Sequence, residues 1–120
     1  MAHARESAPQ ECCGLLLGED GTVRRVLRCR NVHPNPETRY LVDRAQLFEA
    51  FKASKDFDRE LAAIYHSHPR SPAYPSATDR AEAYWPEAAY VLVSLRAEPR
   101  EMFAYRITDG DATDIPIVES

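Results

Sequence analysis

The sequence contains no apolar run that approaches the roughly 20 residues needed by a membrane-spanning helix. Its first ten residues, MAHARESAPQ, lack the apolar stretch of a signal peptide. Its three cysteines are an odd number, and two of them, Cys12 and Cys13, are neighbours, which does not fit a disulfide framework. These absences predict a chain of the reducing cytoplasm that has no membrane partner.

A dense basic block is also absent. Fifteen Lys and Arg stand against nineteen Asp and Glu, which leaves a formal charge of −4. A chain of this charge is not suited to following a phosphate backbone, so a nucleic-acid partner is not expected. No repeat, linker or low-complexity tract divides the 120 residues, and this length supports one hydrophobic core. We therefore expect a single domain over residues 1–120.

Apolar periodicity predicts the order strands, helix, strand, short helix, strands. A hairpin is predicted in CGLLLGEDGTVRRVLRC and a terminal hairpin around Asp109 and Gly110. A short strand is predicted in TRYLV, and Asp43 should cap a helix over RAQLFEAFKASKDF that packs on the sheet. LAAIYHSH and AAYVLVSL are typical of buried strands. Tyr84 and Trp85 are expected either to close the core beside Pro86 or to line a substrate groove. The predicted class is α/β (α+β), a mixed β-sheet flanked by helices.

The chemistry is concentrated in YHSHPRSPAYPSATD, residues 65–79. Residues i and i+2 of a strand point the same way, so His66 and His68 can present two imidazoles to one point. After a turn, Ser76 to Asp79 begins a helix that returns the Asp79 carboxylate to the same place. Two nitrogens and one carboxylate leave a tetrahedral position open for water, which is the arrangement of catalytic zinc.

Each of these signals also has a structural explanation. Ser76 and Asp79 match the Ser-x-x-acid pattern of a capping box, and a His-x-His pair is often an ordinary loop feature. The two roles are compatible, because Ser76 can cap the helix while Asp79 faces a metal. Cys12 and Cys13 are expected to be small buried residues on opposite faces of a strand rather than ligands, and His3 and His33 to be surface histidines.

These positions resemble the JAMM motif of the MPN-domain metalloproteases. The matching positions are His66, Ser67, His68, then seven residues, Ser76, two residues and Asp79. The motif also includes an upstream glutamate, and Glu11 in PQECCGLLLG stands just ahead of an apolar strand. The resemblance extends from Glu11 to about Leu95. It is strongest to the small bacterial members that act on ubiquitin-like sulfur-carrier proteins.

The resemblance implies an MPN fold, which is similar to that of cytidine deaminases, and a zinc peptidase. It implies that His66, His68 and Asp79 are zinc ligands, that Glu11 is the general base, and that Ser76 stabilises the oxyanion. The motifs of deaminases and of the His-Glu-x-x-His peptidases are absent from the sequence.

The resemblance further implies a substrate that is a ubiquitin-like or sulfur-carrier protein, cut after its C-terminal Gly-Gly. The alternative is a non-catalytic MPN scaffold that mediates protein–protein interaction, although such members usually lose one or more ligands. A homodimer is compatible with the family. Fewer residues precede Glu11 than in most members, so the N-terminal edge of the sheet and any dimer contacts are expected to differ.

Overall fold

The computed structural model describes residues 2–19, 22–54, 56–81, 83, 88–96 and 101–117. The strands are β1 Cys13–Glu19, β2 Thr22–Cys29, β3 Leu61–His68, β4 Ala89–Ser94, β5 Glu101–Thr108 and β6 Asp111–Ile115. The helices are α1 Ala2–Ser7, α2 Arg44–Ala53, α3 Phe57–Glu60 and α4 Ala77–Ala81.

The strands form one sheet in the order β2-β1-β3-β4-β5-β6. β3 and β4 run parallel, joined by a connection that contains α4, and the other neighbouring pairs are antiparallel. The predicted mixed sheet flanked by helices is therefore confirmed. β3 lies in the interior of the sheet, so its C-terminal residues are held by a strand on each side.

Alternation along the strands sends apolar side chains into two clusters, one on each face of the sheet. Cys13, Leu15 and Ile64 belong to the cluster that includes Phe57 of α3. Cys12 and Tyr65 belong to the cluster that includes Ala4 of α1. The two adjacent cysteines therefore point to opposite faces, as period-two geometry requires, and both are buried free thiols.

Helix α2 begins where the sequence predicts but ends earlier. The Asp43 side chain accepts a hydrogen bond from the Ala45 N–H, which is the expected N-cap. The helix stops at Ala53, where the Ser54 hydroxyl donates to the Ala50 carbonyl and the chain becomes extended. Phe57 consequently lies in the separate helix α3. As predicted, α2 packs on the core, through Ala50 and the partly buried Leu47, while Phe48 and Phe51 stay 57% exposed.

The predicted strand TRYLV is wrong. Only Val42 forms a strand-like bridge, with Asn31. Beside that bridge, the Leu41 carbonyl accepts from the Val32 N–H, and the Asp43 N–H donates to the Arg30 carbonyl. Two other backbone groups of the segment bond to a side chain: the Leu41 N–H donates to Asn31 Oδ1, and the Arg39 carbonyl accepts from Asn31 Nδ2. A side chain that satisfies these groups competes with a strand ladder, so the segment is an ordered loop.

Both predicted hairpins are confirmed by antiparallel pairing, of β1 with β2 and of β5 with β6. Asp109 and Gly110 turn the second hairpin with positive φ at both positions, the backbone of a tight two-residue turn. The first turn, at Asp20 and Gly21, lies outside the described residues, as do Tyr84, Trp85 and Pro86.

Among the helices that the structure describes, none has the length and apolar character required to cross a bilayer.

Gly14 is expected to be intolerant of any side chain. A Cβ there would lie 2.3 Å from the Tyr65 ring and 2.4 Å from the Leu27 carbonyl oxygen. The backbone oxygen cannot move without disturbing the β1–β2 pairing. We expect Gly14→Ala to lower the free energy of unfolding by roughly 1–3 kcal/mol, the usual cost of overpacking a core.

Urea unfolding of the metal-free protein checks the Gly14 prediction. The double variant Gly14→Ala, Tyr65→Leu should recover part of the loss, because it removes one of the two clashes. An unchanged unfolding midpoint in Gly14→Ala would contradict the close packing of these strands.

Candidate active site

Three elements bring the predicted site residues together. His66 and His68 occupy alternate positions at the end of β3, so both imidazoles leave the same face of the sheet. Asp79 lies in the first turn of α4. Glu11 lies just ahead of β1, and Cys13, the first residue of β1, pairs with His66 on the neighbouring strand β3. The parallel crossover thus returns the carboxylate to the end of the strand that carries both histidines.

The polar atoms of His66, His68 and Asp79 form a nearly equilateral triangle. The two Nε2 atoms lie 3.1 Å apart, and Asp79 Oδ2 lies 3.2 Å from His66 Nε2 and 3.1 Å from His68 Nε2. Ligand atoms about 2.0–2.1 Å from a tetrahedral zinc ion are separated by about 3.3 Å. The triangle therefore has the dimensions of a zinc ligand set.

The tautomer of His68 shows why a cation is required inside this triangle. His68 Nδ1 lies 2.8 Å from the Pro72 carbonyl oxygen, which can only accept a hydrogen bond, so Nδ1 carries the hydrogen. In the neutral ring Nε2 is then a bare lone pair, and it faces the Asp79 carboxylate oxygen at 3.1 Å. Two lone pairs at this distance repel unless a proton or a metal ion lies between them. The donor set thus fits a bound divalent metal.

Glu11 stands beside the triangle as a buried carboxylate. It is 5% exposed, its Oε1 has no hydrogen-bond partner among the residues that the structure describes, and ligand atoms of Glu11, His66 and His68 all lie within 4.8 Å of one another. Its backbone is fixed at both ends: its N–H donates to the Pro36 carbonyl, and its carbonyl accepts from Asn31. Burial raises the pKa of the Glu11 carboxyl to about 7, so this group holds a proton far more readily than a surface glutamate.

The charges of the triangle depend on one another. Burial opposes the ionisation of Asp79, but hydrogen bonds from both histidines outweigh burial and hold the pKa of the carboxyl well below its usual range. Burial lowers the pKa of the fully buried His66. Burial also disfavours the charged form of His68, but the hydrogen bonds to Asp79 and Pro72 prevail and raise its pKa. The site therefore favours an ionised carboxylate that faces one positive charge.

Asp79 also belongs to the capping box that the sequence indicates. The Ser76 N–H donates to Asp79 Oδ2 at 2.9 Å, and the Asp79 N–H donates to Ser76 Oγ at 3.0 Å. The predicted capping box is therefore present, and the same oxygen, Asp79 Oδ2, also faces the two histidines, so the two roles predicted for this motif are compatible. Ser76 is exposed, and because its oxygen acts as the acceptor in the cap, the hydroxyl hydrogen is not used there.

Ser67, between the two histidines, points to the opposite face and ties β3 to the Glu11 segment. Its hydroxyl accepts the Cys12 N–H at 2.8 Å, and its own N–H donates to the Cys12 carbonyl at 3.1 Å. Ser67 has a place in the sequence motif, but the motif assigns it no role. Two hydrogen bonds to the residue next to Glu11 set the distance between the carboxylate and the histidines.

Asn31 and Tyr40 are two further site residues that the sequence analysis misses. Asn31 donates to the Glu11 carbonyl, and the Tyr40 ring stacks on His66 with centroids 4.2 Å apart. No local pattern reveals either residue, since both act through the irregular loop between β2 and α2. The other two histidines are only partly exposed, with His3 Nδ1 2.7 Å from the Tyr65 hydroxyl and His33 Nδ1 accepting the Asn35 N–H.

Comparison with known proteins agrees with this geometry. Residues 1–108 match the family of prokaryotic homologs of the JAB domain. The chain belongs to this family. Over 120 residues it is 42% identical to the CysO-cysteine peptidase of Mycobacterium tuberculosis, with 98% of this chain and 82% of the relative covered. Over 100 residues it is 36% identical to the desampylase of Haloferax volcanii, with 78% of this chain and 72% of the relative covered.

Solved structures show the JAB-domain architecture in the same way. A protein of Desulfitobacterium hafniense, 31% identical, superimposes with a TM-score of 0.83 over 98% of this chain and 83% of that chain. A JAB1/MPN domain protein from Archaeoglobus fulgidus, 18% identical, superimposes with a TM-score of 0.61 over 98% of this chain and 89% of that chain. At this identity the second match shows the fold alone, and that fold is the predicted one.

Proposed function

We propose that the chain is a zinc-dependent peptidase that hydrolyses the bond after the C-terminal Gly-Gly of a ubiquitin-like or sulfur-carrier protein. The observation that carries the proposal is the buried triangle of His66, His68 and Asp79, in which the Nε2 atoms of both imidazoles face one carboxylate oxygen beside Glu11. The names of the relatives, a CysO-cysteine peptidase and a desampylase, support hydrolysis at such carriers. A scaffold that only binds partners would need none of this constellation.

In this proposal His66 Nε2, His68 Nε2 and Asp79 Oδ2 hold the metal. Imidazole nitrogens with one carboxylate suit zinc, and three protein ligands leave a position open, as catalytic sites do. Zinc bound there would polarise the scissile carbonyl and lower the pKa of a water to about 7. The Pro72 carbonyl keeps the hydrogen on His68 Nδ1, so Nε2 stays available as a ligand.

Glu11 is proposed to move the proton. Its carboxylate takes a proton from the attacking water and returns it to the nitrogen of the leaving amine. Its unpartnered Oε1 is free of competing hydrogen bonds, and its backbone is anchored on both sides, so the group is positioned to accept. Ser76 is proposed to donate its hydroxyl hydrogen to the oxyanion, since that hydrogen is not used in the helix cap.

The substrate tail must be slender to reach these atoms. Glu11, His66 and His68 are all at least 95% buried, so little room is left around them for a substrate side chain. Two glycines meet this demand because they carry no side chain. We also propose that the enzyme is cytoplasmic, in agreement with its three free thiols. The chain is proposed to be a single catalytic domain.

The experiment is to incubate the zinc-loaded protein with sulfur-carrier proteins of its own genome that carry residues beyond Gly-Gly, and to measure product masses. We expect cleavage directly after the second glycine. Replacing that glycine by leucine should reduce the rate at least about 10-fold, because the side chain obstructs the approach. A carrier that already ends in Gly-Gly is the control and should keep its mass. Failure of a zinc-loaded protein to cleave any extended carrier would contradict the proposed substrate class.

A further inference from the structure

The two histidines of the triangle are held by different means. His68 donates from Nδ1 to the Pro72 carbonyl at 2.8 Å, the hydrogen bond by which a metal-binding histidine is normally oriented. His66 lacks this bond: its Nδ1 is buried and has no hydrogen-bond partner in the described part of the chain. Because the His66 side chain is only 1% exposed, bulk water does not replace the missing acceptor. His66 Nε2 faces Asp79, but on the Nδ1 side the ring is held by packing contacts instead of a hydrogen bond.

The ring of Tyr40 makes such a packing contact. The two rings are stacked, with centroids 4.2 Å apart and planes 17° from parallel. A flat ring at this distance blocks rotation of the imidazole about its bond to Cβ, because a rotated ring would penetrate the stacked face. Tyr40 is itself partly buried against the core cluster on this side of the sheet, so it cannot easily move away. Steric confinement thus takes the place of the absent hydrogen bond.

We propose that Tyr40 is a positioning residue that aims His66 Nε2 at the metal, in place of the missing hydrogen bond at Nδ1. The proposal rests on the proposed function, because it takes His66 to be a zinc ligand. In this proposal the aromatic face of Tyr40 orients His66, and the Tyr40 hydroxyl has no part in it.

Asn31 holds Tyr40 in place and links it to Glu11. The Asn31 side chain accepts from the Leu41 N–H and donates to the Arg39 carbonyl, so it grips the backbone on both sides of Tyr40. The same amide donates to the Glu11 carbonyl at 3.0 Å. The Asn31 side chain therefore fixes two parts of the site. One is the loop whose Tyr40 ring stacks on His66, and the other is the backbone of Glu11, the proposed base.

The test is to replace Tyr40 and measure zinc affinity by competition with a chromophoric chelator. Tyr40→Leu is expected to weaken zinc binding about 10-fold or more, the usual effect of losing an orienting neighbour of a ligand, and to lower kcat more than it raises KM. Tyr40→Phe keeps the flat ring and should stay close to the wild type in both quantities. Asn31→Ala should weaken zinc binding in the same direction, since it releases both flanks of Tyr40.

The matched control is Phe51→Leu, which removes one ring from the Phe51–Phe57 contact on the exposed side of α2. It should leave zinc affinity unchanged, whatever it does to stability. If Tyr40→Leu does not fold, Tyr40→Met, which fills volume without a flat face, takes its place with the same readout. Wild-type protein that binds no zinc would overturn the proposed function itself. If the wild type binds zinc and the Leu or Met variant has the same zinc affinity and kcat, the role of the ring is overturned. The role is also overturned if Tyr40→Phe loses as much zinc affinity and kcat as Tyr40→Leu.

Discussion

Glu11→Gln is expected to lower kcat by about 100- to 10,000-fold, the range that general acid–base catalysis contributes. The amide has nearly the shape of the carboxyl but cannot accept the proton of the attacking water. The backbone bonds of Glu11 to Pro36 and Asn31 do not involve the side chain, so the fold should be retained. Single-turnover kinetics on a tail-extended carrier, together with zinc content, measure the effect.

The control for this variant is Glu49→Gln, which changes the same chemical group on the exposed surface of α2. It should leave kcat within a factor of about two, as surface changes away from a site usually do. Zinc content should equal that of the wild type in both proteins. If Glu11→Gln turned over at nearly the wild-type rate, Glu11 would have no part in the proton transfer.

Loss of the metal is the expected result of removing its ligands. Purified wild-type protein should contain about one zinc ion per chain, whereas the double variant His66→Ala, His68→Ala should contain almost none, since only one of three ligands remains. Asp79→Asn should bind zinc far more weakly, because the neutral amide offers no charge to the metal. Its remaining side-chain oxygen can still accept the Ser76 N–H, so α4 should keep its cap. Elemental analysis after dialysis gives the zinc content.

His3→Ala is the matched control for the metal experiment. It removes an imidazole that contacts Tyr65 in the apolar cluster on the opposite face of the sheet, so zinc content should not change. Full zinc occupancy in the double variant would place the metal elsewhere in the chain and would refute the ligand assignment.

Local sequence patterns were sufficient to predict most of the sheet and the meeting of His66, His68 and Asp79. The alternation in LAAIYHSH specifies both a buried strand and the common face of His66 and His68, because the period of a strand is fixed by its backbone. The capping-box pattern places Ser76 and Asp79 at a helix start. Each of these inferences depends on residues close together in the chain, so no knowledge of the tertiary contacts was needed.

The errors arose where a side chain took backbone hydrogen bonds that the predicted element would have made. TRYLV has the composition of a strand, but the Asn31 side chain bonds to the Leu41 N–H and the Arg39 carbonyl, and only Val42 forms a strand-like bridge. The predicted helix over RAQLFEAFKASKDF ends early, where the Ser54 hydroxyl bonds to the Ala50 carbonyl. Propensity describes what a segment prefers alone, and tertiary hydrogen bonds can outweigh it.

The sequence by itself determined which side chains could bind a metal. The residue types of His66, His68 and Asp79 supply the ligand atoms, and their spacing fixes the faces from which they project. Only the tertiary structure decided how these groups are held and charged. The burial that raises the pKa of Glu11 and the ring that confines His66 come from segments remote in the chain. The Pro72 carbonyl that sets the tautomer of His68 is near in the chain, but it reaches the ring only because the loop after β3 folds back. Desolvation and hydrogen bonding act through space, so they exist only once the sheet and its loops have assembled.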